Sequence, residues 1–227
     1  METIAERLKS VQASIQRSTL EAHRPLNSVK LLAVSKTKPV SDIVQAYEEG
    51  QRLFGENYVQ EGVEKITTLE SLGDIEWHFI GPLQSNKTRL VAENFDWVHT
   101  IDRLKIAQRL NDQRSVYKPL NVCIQVNIDS DENKAGVTVE EVADLAEAIQ
   151  DMPNLVLRGL MTIPKANQLK SDQKLSFRRM ANLFTQLKQQ YPSADTLSMG
   201  MSGDMHTAIS CDSTMVRVGT DIFGSRI

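Results

Sequence analysis

Lys36, in the run LLAVSKTKP, is the residue whose type and position point most directly to chemistry. A lysine at the mouth of an apolar barrel is open to desolvation, which lowers its pKa and favours the neutral amine that attacks an aldehyde. A solvated strand end is the competing reading, and Lys38, two residues on, fits it as well. The segment TLSMGMSGDMHTAISC places glycines and serines between a strand and a helix expected to start near Gly203. Backbone N–H groups in such a turn point at an anion; small residues there also serve ordinary turns. Arg217, in TMVRVGT, is a cation between Val216 and Val218. Buried, it must find acceptors, either in a structural ion pair or in a ligand.

Other chemistries are absent from the pattern. His23, His78, His99 and His206 show no H-E-x-x-H spacing, so no metal site is expected, and His78 in EWHFIG faces either a pocket or the core. Cys123 and Cys211 form no C-x-x-C pair, and Cys123 sits in an apolar run as a buried thiol. P-loop, nucleophile-elbow and dinucleotide glycine motifs do not occur.

These side chains need elements to hold them. Ile4, Leu8, Val11 and Ile15 recur at spacings of four, three and four, which predicts an opening helix with one apolar stripe within residues 1–22. After the His23-Arg24-Pro25 break come apolar runs at VKLLAVS (29–35), RLFG (from 52), IEWHFIG (75), FDWVHTI (95), LNVCIQVNI (120), LVLRGLM (155), TLSMGM (196) and TMVRVG (214). Helical patterns separate them: SDIVQAYEEG, with Ser41 as N-cap and Gly50 at its end; VEEVADLAEAI behind Thr138; and 170–190, with Leu175, Met180, Leu183, Phe184 and Leu187 as its stripe. Eight strands alternating with helices predict an α/β fold, a single (β/α)8 TIM-type barrel with an extra N-terminal helix, spanning 1–227 as one domain. An open doubly wound sheet is the alternative. In a barrel the ends of several strands share one rim. Lys36, Asn57, His78, Asn127, Asp129, Met161, Ser198 to Ser202 and Arg217 to Thr220 all fall late in or just after their runs, and the loops after strands seven and eight are the common phosphate site.

Composition agrees with a soluble globular chain: 227 residues, 41% hydrophobic and 24% charged, with a formal charge of −3. A sequence pI near 5.9 gives no field for nucleic acid or an anionic membrane. No signal peptide or transmembrane run is read, so the expected compartment is cytoplasmic.

Lys36 in LLAVSKTKP, FGENYVQE from Phe54, WHFIGPLQSNK from Trp77, RGLMTIP from Arg158, LSMGMSGDM from Leu197 and STMVRVGTDIFG from Ser213 together resemble the YggS/PROSC family of pyridoxal phosphate homeostasis proteins. The resemblance runs over essentially the whole chain. It implies a barrel like the N-terminal domain of alanine racemase and pyridoxal 5'-phosphate as cofactor, held as a Schiff base on Lys36. Ser202, with the backbone of Gly203, Gly219 and Thr220, would hold the phosphate, and Arg217 would face the pyridine nitrogen. Asn57, His78 and Met199 resemble residues lining the ring. Asp212 and Asp221 depart from the pattern, standing where the family usually has glycine and alanine. Strand-like alternation points Asp221 away from Thr220's side.

An arginine at the ring nitrogen argues against transaminase chemistry, because it cannot surrender a proton. The alanine racemase resemblance keeps a weak amino-acid racemase open as the alternative, with Tyr58 or His78 as second base. That enzyme's opposing acid comes from an additional domain, for which the chain ending at Ile227 leaves no room. The expected role is therefore non-enzymatic: a carrier or buffer serving vitamin B6 and amino-acid homeostasis. It would exchange cofactor with free amino acids or recipient apo-enzymes, as a monomer or weak dimer. A phosphate-binding barrel without pyridoxal is the remaining option.

Overall fold

The computed structural model describes residues 2–166 and 168–225; the sequence-based domain limit at Ile227 lies outside them. The first helix, α1 (Ile4–Glu21), opens with a capping box. The Thr3 side chain accepts from the Glu6 N–H at 3.2 Å, and the Thr3 N–H donates to Glu6 Oε2 at 2.8 Å. Such a cap stabilises a helix start by about 1 kcal/mol. The predicted stripe of Ile4, Leu8, Val11 and Ile15 is buried, against α2, α8 and α9.

The chain then alternates through β1 (Lys30–Val34), α2 (Val40–Glu48), β2 (Leu53–Glu56), α3 (Val59–Thr68), β3 (Glu76–Phe79), α4 (Thr88–Asn94), β4 (Trp97–Ile101) and α5 (Leu104–Gln113). It continues through β5 (Leu120–Gln125), α6 (Val142–Gln150), β6 (Leu155–Met161), α7 (Lys170–Gln190), β7 (Thr196–Met201), α8 (Met205–Ile209), β8 (Met215–Val218) and α9 (Thr220–Phe223). All eight expected strands form, each parallel to its neighbours, and β8 closes on β1 with Leu32 opposite Arg217. The open-sheet alternative is thereby removed.

Alternation along each strand sorts side chains into two environments. Ala33, Leu197, Met199, Val216 and Val218 join the large cluster between barrel and helices, whereas Trp97, Cys123 and Met161 form a separate small cluster. A second set of buried residues, His78, His99, Ser198 and Arg217, is polar and linked by hydrogen bonds.

Local starts differ from the sequence expectation in three places. Helix α2 is capped by Pro39, not Ser41, because proline's fixed φ and missing N–H suit a helix entry. Helix α6 begins at Val142 rather than just behind Thr138, whose N–H is taken by Glu141 Oε2 at 2.8 Å in the preceding turn. In α7 the buried stripe is Phe177, Met180, Phe184 and Leu187, and Leu175 is 59% exposed.

Candidate functional site

Strand β1 ends at Val34, and the next four residues make a tight turn in which the Lys38 N–H donates to Ser35 O at 3.1 Å. Lys36 is the first central residue of this turn. Thr37 is the second, at φ 61°, a left-handed conformation that a β-branched residue rarely takes. Two contacts hold it there: the Thr37 N–H donates to Glu61 Oε1 at 2.6 Å, and Lys65 Nζ donates to Ser35 O at 2.8 Å. Lys65 also bonds Glu56 Oε1 at 2.8 Å and Glu61 Oε1 at 2.6 Å, while the Ser35 hydroxyl donates to Glu56 Oε1 at 2.6 Å. A buried ion-pair cluster thus brackets the Lys36 backbone on both sides. Burial pushes the Glu56 carboxyl up, and Lys65 opposes that shift.

Register places the other groups around Lys36. Ala33 lies opposite Val218, and a Cβ on Gly219 would sit 3.1 Å from Val34 O, so the exit of β8 passes close against the end of β1. Thr220 follows at the start of α9. On the neighbouring strand β7, the Met201 N–H donates to Asp204 Oδ1 at 2.6 Å and the Asp204 N–H returns to Met201 O at 3.0 Å, which fixes the loop carrying Ser202 and Gly203. Gly203 faces open space: a Cβ there would meet nothing within 4 Å. From β2, Asn57 lies at the rim in a loop pressed against Gly81, whose added Cβ would fall 2.0 Å from Asn57 O. Asn57 Oδ1 is buried with no hydrogen-bond partner. A buried acceptor left in that state calls for a donor.

Arg217 is buried inside the barrel. Its Nη1 donates to Ser198 Oγ at 2.7 Å and its Nη2 to Thr162 O at 3.0 Å. Burial lowers its pKa to about 10, so it remains a cation at neutral pH. Beyond Ser198 stand His99 (Nδ1 to Oγ, 3.0 Å), His78 (Nδ1 to His99 Nε2, 2.9 Å) and Glu76 (Oε1 to His78 Nε2, 3.1 Å). His78 also stacks on Trp97, with centroids 5.1 Å apart and planes at 14°.

The expected site residues therefore divide. Lys36, Asn57, Ser202, Gly203, Gly219 and Thr220 come together at the C-terminal ends of the strands, with Arg217 inside the barrel wall beneath them. His78 does not line the mouth: it is fully buried, and it reaches Arg217 only through His99 and Ser198. Met199 also departs from expectation. Ser198 points inward, so its neighbour Met199 points outward into the cluster with the helices. Asp221 and Thr220 line one outer groove with Arg7 and Ser10 of α1, contrary to the expected divergence, because α9 is helical and period-two alternation does not apply. Asp212 sits at φ 67°, before β8 and so at the opposite end of that strand from Gly219. From sequence, Ser198 falls among the rim residues and His99 has no role beyond the missing metal spacing, whereas the structure bonds both inside the barrel; the Glu56–Lys65–Glu61 cluster carries no sequence signal of its own. WHF and WVH do place a histidine in each of two consecutive apolar strands, and buried imidazoles require partners.

The whole chain has relatives. Residues 8–227 match the family model described as alanine racemase, N-terminal domain. A pyridoxal phosphate homeostasis protein of Pasteurella multocida is 58% identical over 228 residues, covering 99% of this chain and 98% of that protein. This chain belongs to the YggS/PROSC family of pyridoxal phosphate homeostasis proteins. The Escherichia coli family member is 54% identical over 229 residues, covering 100% of this chain and 98% of its own. Among solved structures, PipY of Synechococcus elongatus with PLP bound superposes with a TM-score of 0.82 at 35% identity, covering 98% of this chain and 100% of that one. Alanine racemase from Corynebacterium glutamicum, at 17% identity and a TM-score of 0.68, shares the fold, with 96% of this chain matching 61% of that one.

Proposed function

We propose that this family member binds pyridoxal 5'-phosphate at the barrel mouth through Lys36 and carries or buffers it, serving vitamin B6 and amino-acid homeostasis. The observation that carries the reading is the register between β1 and β8, which sets the Lys36 turn beside Gly219–Thr220 and above a buried arginine. The residues fit the cofactor: a primary amine on a constrained turn, an open glycine loop for a phosphate, an unpartnered buried amide oxygen and a donor-only cation. Relatives whose names state pyridoxal phosphate homeostasis, and the PLP-bound PipY structure, support the same assignment.

When bound, the cofactor supplies an aldehyde that condenses reversibly with primary amines and a ring that takes up electron density. Lys36 would present the amine from the turn whose backbone is held by Thr37 and Ser35. Ser202, Gly203, Gly219 and Thr220 would hold the phosphate by hydroxyl and backbone N–H groups. Asn57 offers its amide at the rim. Arg217 would donate toward the ring nitrogen and, as a cation at neutral pH, could not serve as its acid, which argues against transaminase chemistry and leaves racemisation to the test below.

For the racemase alternative, His78 is unsuited as a second base because it is buried below Arg217; Tyr58, 53% exposed at the rim, is the residue left to test. No helix among the described residues is long and apolar enough to cross a membrane; the proposal is of a cytoplasmic, monomeric or weakly dimeric carrier. The test is to load the protein, add an apo-aminotransferase or free amino acids, and follow cofactor transfer together with deuterium wash-in at the α-carbon. Transfer without wash-in above a Lys36→Ala control supports carriage. Wash-in well above that control, lost in Tyr58→Phe, overturns it in favour of catalysis.

A further inference from the structure

The buried polar line from the barrel floor to Arg217 has no part in cofactor attachment, yet its geometry is closed at both ends. At one end is a guanidinium, which only donates hydrogen bonds; at the other is a carboxylate, which when ionised only accepts. Ser198, His99 and His78 lie between them at 2.7, 3.0 and 2.9 Å, and the last step to Glu76 is 3.1 Å. Glu76 is the first residue of β3, and its side chain is 40% exposed at the floor, whereas the two histidines and Ser198 are fully buried.

We infer that Ser198, His99, His78 and Glu76 form a one-way hydrogen-bond chain that holds Arg217 as a pure donor toward the mouth and carries its counter-charge from the barrel floor. The order of protons follows step by step. Ser198 Oγ accepts from Arg217, so its own hydrogen is donated to His99 Nδ1. His99 then carries its hydrogen on Nε2 and donates to His78 Nδ1, and His78 in turn donates from Nε2 to Glu76. Both rings are neutral and both are Nε2–H tautomers. The reverse order would require a proton on Glu76, and the bond from His78, the largest influence on that carboxyl, holds it below its ordinary range. Burial likewise lowers both histidines, His99 to well below its usual value.

The charged surroundings are compatible. Lys30 and Asp96 act on His78 in opposite senses, and Asp204 favours the charged form of Arg217. A buried guanidinium without a compensating acceptor network would be costly. Here the dipoles of a hydroxyl and two imidazoles all point their acceptor ends toward it, ending on an ionised carboxylate. Ser198, His99 and His78 are thus positioning residues: they act on the ring of the proposed cofactor only through Arg217. That last consequence rests on the functional reading above, whereas the proton order is a property of the chain alone.

Two measurements test it. Long-range proton–nitrogen correlation spectra of the 15N-labelled apo-protein at pH 7, assigned with histidine variants, should show His78 and His99 neutral with hydrogen on Nε2. An Nδ1–H tautomer or an imidazolium at either ring overturns the chain. Ser198→Ala should still load cofactor on Lys36 but shift its absorption band and release it to excess amine about tenfold faster, as expected for one lost charge-assisted bond. Unchanged band and release rate overturn the positioning role. A parent protein that takes up no cofactor refutes the functional reading, and the tautomers still decide the proton order.

Discussion

Replacing Lys65 by methionine removes the cation that joins the Lys36 turn to the barrel wall. The side chain is 6% exposed and bonds three acceptors: Ser35 O, Glu56 Oε1 and Glu61 Oε1. Glu61 is at the edge, with its side chain 27% exposed, and regains water; Glu56 is fully buried and does not. Removing one partner of a buried pair costs about 3–5 kcal/mol because the other charge is left uncompensated. Lys65→Met should therefore lose about that much stability at pH 7.5 in urea unfolding. The deficit should depend on pH in a defined direction. Glu56 already has a raised folded pKa, so its neutral form is favoured, and stability from that protonation is present below its unfolded value and lost as pH rises through the folded one. Without Lys65 the folded pKa climbs further, so the gap between variant and parent should shrink as pH falls toward 5. Pairing the change with Glu56→Leu should recover most of the loss, since an apolar pair of similar size replaces buried charges well. A deficit below about 1 kcal/mol, or one of equal size at pH 7.5 and 5, would refute this account of the cluster.

Other consequences are equally specific. Gly81→Ala would drive a methyl against the Asn57 carbonyl, so cofactor affinity should fall by at least about tenfold as the rim loop shifts, read by equilibrium titration of the apo-protein. Asp212→Gly relieves a left-handed residue and should stabilise the fold by about 0.5–1 kcal/mol, with cofactor affinity unchanged because the turn lies at the far end of β8. The two buried neutral histidines have folded pKa values below the unfolded 6.5, so they contribute stability above that pH and lose it as pH falls toward the folded values. Denaturation between pH 7 and 5 should show a decline of up to about 1.4 kcal/mol per pH unit for each, and His99→Gln should flatten it.

The strands were legible because fully buried parallel strands are short apolar runs, and in VKLLAVS or LNVCIQVNI nothing competes with that reading. Helix starts were less so: Ser41 looks like a cap, but the chain enters α2 from Pro39, and the helix absorbs the serine. The resemblance alone puts Met199 at the ring; period-two alternation with the inward Ser198 turns it outward toward the helices. Lys36, Arg217 and the glycine loops stood out by type and position. Their supporting shell did not, since the meeting of His78, His99 and Ser198 depends on interior contacts across β3, β4 and β7 that no local pattern encodes.

Borohydride reduction of the cofactor-loaded protein, followed by peptide mass mapping, addresses the site itself. The mass of reduced pyridoxal phosphate should appear stoichiometrically on the peptide containing Lys36 and vanish in Lys36→Ala. Label on Lys38, Lys65 or Lys87 instead, or none on a protein that otherwise loads, would contradict the assignment of the barrel mouth.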